Sequence, residues 1–352
     1  MLPSAVYIND KELAASWDGD IDSLLHSLKE SYLDWRGGRI LLPEKTSQII
    51  EEVSQSRVNC MPCTVPEMGV SGVKLVSVFP NNPSRGLPNV MGQIVLLDSS
   101  NGGPIAVLDA GFITSLRTAL VGGLASTYLA SSAPKSIALI GSGEQAFMHL
   151  LVMSYLHPSL EVCKVASRKP ESEDRLKERV GHQIAGMKVC SLRGDYAAAV
   201  TDADIIVTAI SAQKPILQAD WIKEGAFYCH VGGIEDDYSV PRKADKIVCD
   251  SWSDLKHRGS PTIAHMYREG LLSDGDIYAE LPEIISGQKP GRERDDEFIY
   301  FNSIGMAFTD LVIARRLFDQ ALSNGCGHKL LSSNADILAN DGFVRRCNER
   351  RV

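Results

Sequence analysis

The sequence predicts an α/β protein made of two units, a doubly wound parallel sheet and, ahead of it, a β-rich α+β half. Three observations predict it. Between Val58 and Leu108 the apolar residues fall in short strings, Val73–Val78, Gln93–Leu97 and Pro104–Leu108, cut by Pro-Asn-Asn-Pro, Gly-Leu-Pro and Asn-Gly-Gly, which is strand-and-turn chemistry. The stretch Ser136-Ile-Ala-Leu-Ile-Gly141-Ser-Gly143-Glu-Gln-Ala146 then joins an apolar strand to a glycine turn and the start of a helix. After it, the strand-like segments Glu161–Ala166, Lys188–Ser191, Asp204–Ala209, Ala226–Val231 and Lys246–Asp250 alternate with helical or connecting segments, the rhythm of parallel strands with crossovers. The 352 residues suffice for two ordinary cores.

The remaining elements follow from periodicity. Ile21, Leu24, Leu25, Leu28, Tyr32 and Trp35 stand at helical spacing over residues 20–35, and Gly37-Gly38 ends the run. From Thr114 to Ala130 a second helix carries Leu116, Ala119, Leu120, Gly123, Leu124 and Leu129; its small residues let a neighbour approach closely, and it is read as the link between the two units. An apolar string at Phe298–Phe301 and a long helix over Gly305–Leu322 come last, before a polar tail at Cys326–Val352.

Composition excludes several classes of function. With 44 acidic against 36 basic residues the chain carries −8, the wrong sign for a protein devoted to a phosphate backbone, so no nucleic acid is expected as partner. No apolar stretch reaches the ~18–20 residues of a membrane span, and the N-terminus lacks a basic segment followed by an apolar one, so the expected location is the cytoplasm. Eight cysteines are too few for a disulfide scaffold in a chain this long. Cys163, Cys190, Cys229 and Cys249 read as reduced strand residues. Cys60-Met-Pro-Cys63 has the spacing of a zinc or redox pair but no second pair follows at ligand distance, so no metal is expected.

The glycine loop carries the first functional expectation. In Gly141-Ser-Gly143-Glu-Gln-Ala146, Gly141 allows the tight turn, Gly143 lets a pyrophosphate approach the backbone, and Ala146 permits close helix–strand packing. This is a Rossmann-like dinucleotide site. At the end of the next strand, where NAD-preferring folds place an acid for the ribose hydroxyls, the chain reads Ser167-Arg168-Lys169. Two cations there suit a 2′-phosphate, so NADP is favoured and NAD stays possible; the alternative is that both are merely solvated.

Several motifs together resemble the ornithine cyclodeaminase/μ-crystallin family. They are Pro43-Glu-Lys45-Thr46, Met61-Pro62, Gly72-Val-Lys74, Gly86-Leu-Pro88, Leu108-Asp-Ala-Gly-Phe-Ile-Thr114-Ser-Leu-Arg117-Thr118, the glycine loop, and Asn302-Ser-Ile-Gly305-Met-Ala-Phe-Thr-Asp310. The resemblance spans nearly the whole chain. It implies a homodimer whose subunit pairs a substrate-binding and dimerisation domain, here residues 1–116 with 318–352, with a Rossmann NAD(P)-binding domain, here 117–317. It also implies a small-molecule amino-acid substrate whose carboxylate is held by Lys45, Lys74 and Arg117. That role is chemically sensible, because hydride reaches Cα in line only if the carboxylate is fixed. Lys45 stands where the family has Arg and so lacks a bidentate fork. The cofactor would be held by Thr118, Gly141, Gly143, Glu144, Gln145, Ser167, Arg168, Lys169, Ile210, Ser211 and Gly232.

Cyclodeaminases carry an Asp after Val-Gly-Gly, and here Ile234 takes that place in Val231-Gly232-Gly233-Ile234-Glu235. Ornithine cyclisation is therefore not expected. Glu235 reads either as a shifted acid/base or as a solvated carboxylate in an acidic turn. Ile277-Tyr-Ala-Glu280, Ile284-Ile-Ser-Gly287-Gln-Lys-Pro290 and Phe301-Asn-Ser-Ile-Gly305-Met are similar to one branch of the family, the N-(2-amino-2-carboxyethyl)-glutamate dehydrogenases of siderophore and antibiotic pathways. That branch oxidises a secondary amine, and water then releases 2,3-diaminopropionate and 2-oxoglutarate. Imine reduction, amino-acid dehydrogenation of the alanine type and cofactor binding without turnover are the alternatives.

Overall fold

The computed structural model describes residues 5–210 and 214–330. Six strands come first: β1 (Val6–Ile8), β2 (Thr46–Glu51), β3 (Ser56–Val65), β4 (Val70–Val78), β5 (Val90–Asp98) and β6 (Pro104–Asp109). Eight more follow, β7 (Ser136–Ile140), β8 (Val162–Ala166), β9 (Lys188–Ser191), β10 (Ile205–Thr208), β11 (Phe227–His230), β12 (Lys246–Cys249), β13 (Ala279–Glu280) and β14 (Ile299–Asn302), and then β15 (His328–Lys329). The helices are α1 (Asp10–Ser16), α2 (Ile21–Arg36), α3 (Gly111–Leu129), α4 (Glu144–Leu156), α5 (Pro170–Gln183), α6 (Tyr196–Val200), α7 (Ser239–Lys243), α8 (Trp252–Leu255), α9 (Thr262–Arg268), α10 (Leu281–Ile285) and α11 (Ala307–Ser323).

The first sheet runs β15-β1-β6-β5-β4-β3-β2, antiparallel from β6 through β2. Alternate residues of β3 and β4 are buried, among them Met61, Cys63 and Val65 on one and Val70, Lys74 and Val76 on the other. They face the core because α11 packs across both strands. The second sheet runs β13-β12-β14-β11-β10-β7-β8-β9 with every pair parallel. The chain therefore winds outward from β7 to β9 and returns to β10 on the other side of β7, which leaves a crevice at that reversal.

Four strands escaped the sequence pattern; β13 and β15 have only two residues each. β1 has three residues, and β2 is exposed at all six positions, so neither shows the alternation that marks a half-buried strand. β4 begins at Val70, before the apolar string at Val73, because Ser71 and Gly72 pair with Thr64 and Cys63, and the Ser71 and Thr64 hydroxyls lie 2.8 Å apart. α3 packs against α2 and α11 and also against α4. A side-chain carbon at Gly123 would lie 2.6 Å from Val152 Cγ1 and one at Gly122 3.0 Å from Cys229 Sγ; the small residues do permit the close approach. Cys60 and Cys63 are both on β3, Cys63 buried.

Candidate active site

At the end of β7 the chain turns through Gly141 at φ +116°, a conformation that favours glycine, and the Gly141 N–H donates to the Ala166 carbonyl at 2.9 Å. A side chain at Gly141 would also meet the Ala209 carbonyl oxygen at 2.8 Å. Gly143 caps α4 with no side-chain hydrogen bond, and nothing lies within 4 Å of where its Cβ would be. An uncapped helix N-terminus thus opens onto free space at the reversal of the second sheet, which fits a dinucleotide's pyrophosphate.

The other residues expected at the cofactor are spread around this crevice. Glu144 pairs with Arg179 through two contacts of 2.7 and 3.0 Å on the surface. Gln145 Nε2 and the Thr118 hydroxyl both donate to the Thr114 carbonyl, at 3.4 and 2.6 Å. Arg168 and Lys169 are exposed, while Ser167 is buried. Behind them the fully buried Glu173 carboxylate accepts from the backbone N–H of Ser167, Arg193 and Gly194 and from the Ser191 hydroxyl. That acid holds the loops after β8 and β9 together. Ser211 lies outside the described residues.

Glu235 is not the solvated carboxylate of an acidic turn that one reading of its sequence context gave. It is fully buried; Oε1 accepts from Ile210 N–H at 2.7 Å, and Oε2 accepts from the Thr208 hydroxyl at 2.6 Å and from Gly232 N–H at 2.8 Å. Burial raises its pKa. Its oxygens tie the ends of β10 and β11 together instead of facing solvent. Gly232 is held so close that a Cβ there would lie 2.3 Å from Glu235 Oε1. Ile234 is half-buried beside it.

Two of the three residues expected to hold the carboxylate meet. Lys74 reaches from β4 and Arg117 from α3, and Lys74 Nζ and Arg117 Nε each lie 2.8 Å from the same oxygen, Oδ1 of Asp310 on α11. Lys74 and Asp310 are fully buried and Arg117 nearly so. Asp310 Oδ2 is buried without a hydrogen-bond partner among the described residues. Burial pushes Lys74 down to about 8, with Asp310 opposing and Arg117 reinforcing the shift. The Arg117 guanidinium rests on Gly305, where φ is +75° and a Cβ would lie 2.6 Å from Nη1. Lys45 is half-buried near them; burial and then the charges of Arg258, Arg57, Lys74 and Arg117 push it down to about 7.

Four site residues were missed in the sequence. Asp310 sat at the end of a quoted motif without an assigned role, and only the fold shows that it joins two cations. Asp250, fully buried, accepts from the Ser303 hydroxyl and from Ile304 and Gly305 N–H, fixing the loop between β14 and α11. Arg57 on β3 and Arg258 after α8 carry no motif that marks them.

The family model of the ornithine cyclodeaminase/mu-crystallin family matches residues 15–325. N-((2S)-2-amino-2-carboxyethyl)-L-glutamate dehydrogenase of Staphylococcus aureus is 32% identical over 276 residues, covering 78% of this chain and 82% of that protein. Among solved structures, Delta(1)-pyrroline-2-carboxylate reductase of Thermococcus litoralis in complex with NADH and L-proline superposes with a TM-score of 0.85 at 28% identity, covering 92% of this chain and 100% of that one. An archaeal alanine dehydrogenase dimer with bound NAD gives a TM-score of 0.84 at 28% identity, covering 94% and 100%.

Proposed function

The chain belongs to the ornithine cyclodeaminase/mu-crystallin family and is an NAD(P)-dependent oxidoreductase of amino-acid C–N bonds; from that premise we propose that it cleaves an N-substituted glutamate such as N-(2-amino-2-carboxyethyl)-glutamate oxidatively, giving 2,3-diaminopropionate and 2-oxoglutarate. The observation that carries this reading is the convergence of Lys74, Arg117 and Lys45 on one site with Asp310 as the acid bonded to two of them. That much positive charge suits a substrate with several carboxylates better than alanine or a cyclic imino acid with one. The likeness to the Staphylococcus aureus enzyme points the same way.

In this reading Arg117 holds the carboxylate on the reacting Cα, and Lys74 lies close enough in pKa to neutrality to take or return the proton of the substrate nitrogen. A dinucleotide held at the 141–146 loop would supply the acceptor for the hydride of Cα. The resulting C=N bond adds water and breaks, so that the nitrogen leaves with 2,3-diaminopropionate and the oxygen stays on 2-oxoglutarate; one water is consumed and one proton released. Glu235 serves by holding the loops at Ile210 and Gly232 in place. Lys45 reaches a further carboxylate. With Ile234 at the cyclodeaminase Asp position and Glu235 enclosed by its donors, ornithine cyclisation has no acid in place.

The exposed Arg168 and Lys169, with Glu173 behind them buried and engaged by backbone donors, support NADP over NAD. Arg168→Asp should then shift the kcat/KM ratio towards NAD, by about tenfold for one charge-assisted contact; a wild-type preference for NAD overturns the assignment. The division into 1–116 with 318–352 and 117–317 runs through α3, which packs on α2 and also on α4, and through α11, which packs across the strands of the first sheet. A homodimer through the first unit is supported by Leu75 and Met91, exposed on neighbouring strands of its outer face.

Turnover of synthetic N-(2-amino-2-carboxyethyl)-glutamate with each cofactor, with products identified by mass spectrometry, tests the reading. Release of 2,3-diaminopropionate and 2-oxoglutarate supports it. No turnover, alongside efficient reduction of pyrroline-2-carboxylate or amination of pyruvate, replaces it with imine reduction or alanine dehydrogenation.

A further inference from the structure

We propose that Arg57 and Arg258, with Lys45 between them and the Lys74–Arg117 anchor, form a second carboxylate subsite that selects substrates carrying at least two carboxylates. The proposal rests on the reading of this site as one for amino acids and names the residues that discriminate among them.

Strand register places the first two. Arg57 is opposite Ile49 on β2 and Val78 on β4, while Lys74 is opposite Met61 on β3. Residues 57 and 61 share a face, as do 74 and 78, so Arg57 and Lys74 leave the sheet on the side that α11 covers. Ser47 confirms the face of β2, because its hydroxyl donates to Asn59 Oδ1 at 2.8 Å. Lys45, immediately before β2, is in step with Ser47 and Ile49. Arg258 comes from the other side. Its Nη1 donates to the Ile304 carbonyl at 3.0 Å, and the next residue of that loop, Gly305, is the one against which the Arg117 guanidinium rests. Two arginines from different elements therefore meet at one loop, which Asp250 holds from behind.

The charge balance shows what this arrangement lacks. Lys45, Arg57 and Arg258 are all half-buried, and among the described residues none is within ion-pair distance of a carboxylate. Arg57 Nη1 donates to the Gln55 carbonyl and Arg258 to that of Ile304; each interaction orients a guanidinium without neutralising it. Asp310 is taken up by Lys74 and Arg117. Asp250 and Asp254 act on Arg258 from a distance while bonded elsewhere, Asp250 to the 303–305 loop and Asp254 to Ser251. Their charges act on one another: Lys45 responds to Arg258, Arg57, Lys74 and Arg117, and Arg258 to Arg117 and Arg57. Half-buried cations that repel one another persist at a cost that a bound anion removes. One carboxylate on Arg117 leaves Lys45, Arg57 and Arg258 uncompensated, and the distal carboxylates of an N-substituted glutamate would compensate them.

Equilibrium binding to the full-length protein in the presence of NADPH separates this subsite from the reaction proposed above, since no turnover is needed. Glutarate, a dicarboxylate, and propionate, a short monocarboxylate, are titrated by calorimetry into the wild type and into Arg57→Gln, Arg258→Gln and Arg258→Lys. Glutarate should bind the wild type more tightly than propionate, and each Gln variant should weaken it about tenfold or more while changing propionate less than about twofold. Arg258→Lys should restore part of the glutarate affinity, which a merely structural role for Arg258 would not do. Equal weakening of both ligands, no weakening of glutarate, or no wild-type preference for glutarate overturns the subsite. If the preference and its loss are seen but N-(2-amino-2-carboxyethyl)-glutamate is not turned over, the subsite stands and the substrate reading falls.

Discussion

Lys74 and Lys45 show how a lysine's role depends on what surrounds it. Lys74 is fully buried but keeps Asp310 at 2.8 Å, and settles at about 8; Lys45 is less enclosed, has only cations for strong neighbours, and settles at about 7. The Lys45 charge is therefore present below about pH 7 in the free protein and lost as pH rises through it, while a bound polyanion holds the proton on. KM for a multi-carboxylate substrate should rise between pH 6.5 and 8, and Lys45→Met should flatten that rise at a uniformly higher KM; an unchanged profile in the variant removes Lys45 from the site. Arg117→Ala leaves Lys74 on Asp310, so the fold and cofactor affinity should persist while kcat/KM falls about a hundredfold or more through loss of substrate alignment. Loss of the thermal transition instead would make Arg117 structural. Lys45, Lys74 and Arg117 were legible because they sit inside motifs. Asp310, Arg57 and Arg258 were not, because their meaning lies in partners far along the chain.

The strand–turn–helix at residues 136–156 is the element most fully legible in the sequence, since the apolar run, the glycines and the helix start that mark it are contiguous. Its two glycines nevertheless differ. Gly141 is held at φ +116° with the Ala209 carbonyl against it, whereas Gly143 has an ordinary φ of −86° and open space at its Cβ position. Gly143→Val should therefore leave the melting temperature close to wild type and abolish cofactor binding in a fluorescence titration. Gly141→Ala should also destabilise the fold, by about 1 kcal/mol or more. Undiminished NAD(P)H affinity in Gly143→Val would place the pyrophosphate elsewhere. Glu235 marks the limit of local reading: the acidic turn Glu235-Asp-Asp237 suggested a solvated or reactive carboxylate, and its burial is decided by the neighbouring strand β10, twenty-five residues earlier in the case of Ile210.

For the whole molecule, the site lies where the two sheets come together through α3 and α11. Arg117 and Asp310, one from each helix, meet Lys74 of the first sheet, and the Asp250-held loop of the second sheet closes against them. The opposite face of the first sheet exposes Leu75 and Met91, and its edge strand β2 exposes Ile49 and Ile50. Leu75→Glu should shift the protein from dimer to monomer in light scattering while its circular dichroism is preserved, because a charge is placed in a buried apolar contact. A monomeric wild type, or a variant dimer of unchanged affinity, would mean that these residues are simply exposed.

The longer α and β elements in their order, the glycine loop and the motif-borne cations were legible in the sequence, because each depends on residues within about a dozen positions of one another. The tertiary structure decided which charges share a site. Lys74, Arg117 and Asp310 are separated by up to 236 positions, and their ion pairs exist only because β4, α3 and α11 pack together. The same packing buries Glu235 and Glu173 among backbone donors and, among the described residues, leaves Arg57 and Arg258 without a carboxylate at ion-pair distance. Burial sets the energetic weight of every one of these groups, and burial is a property of the assembled fold.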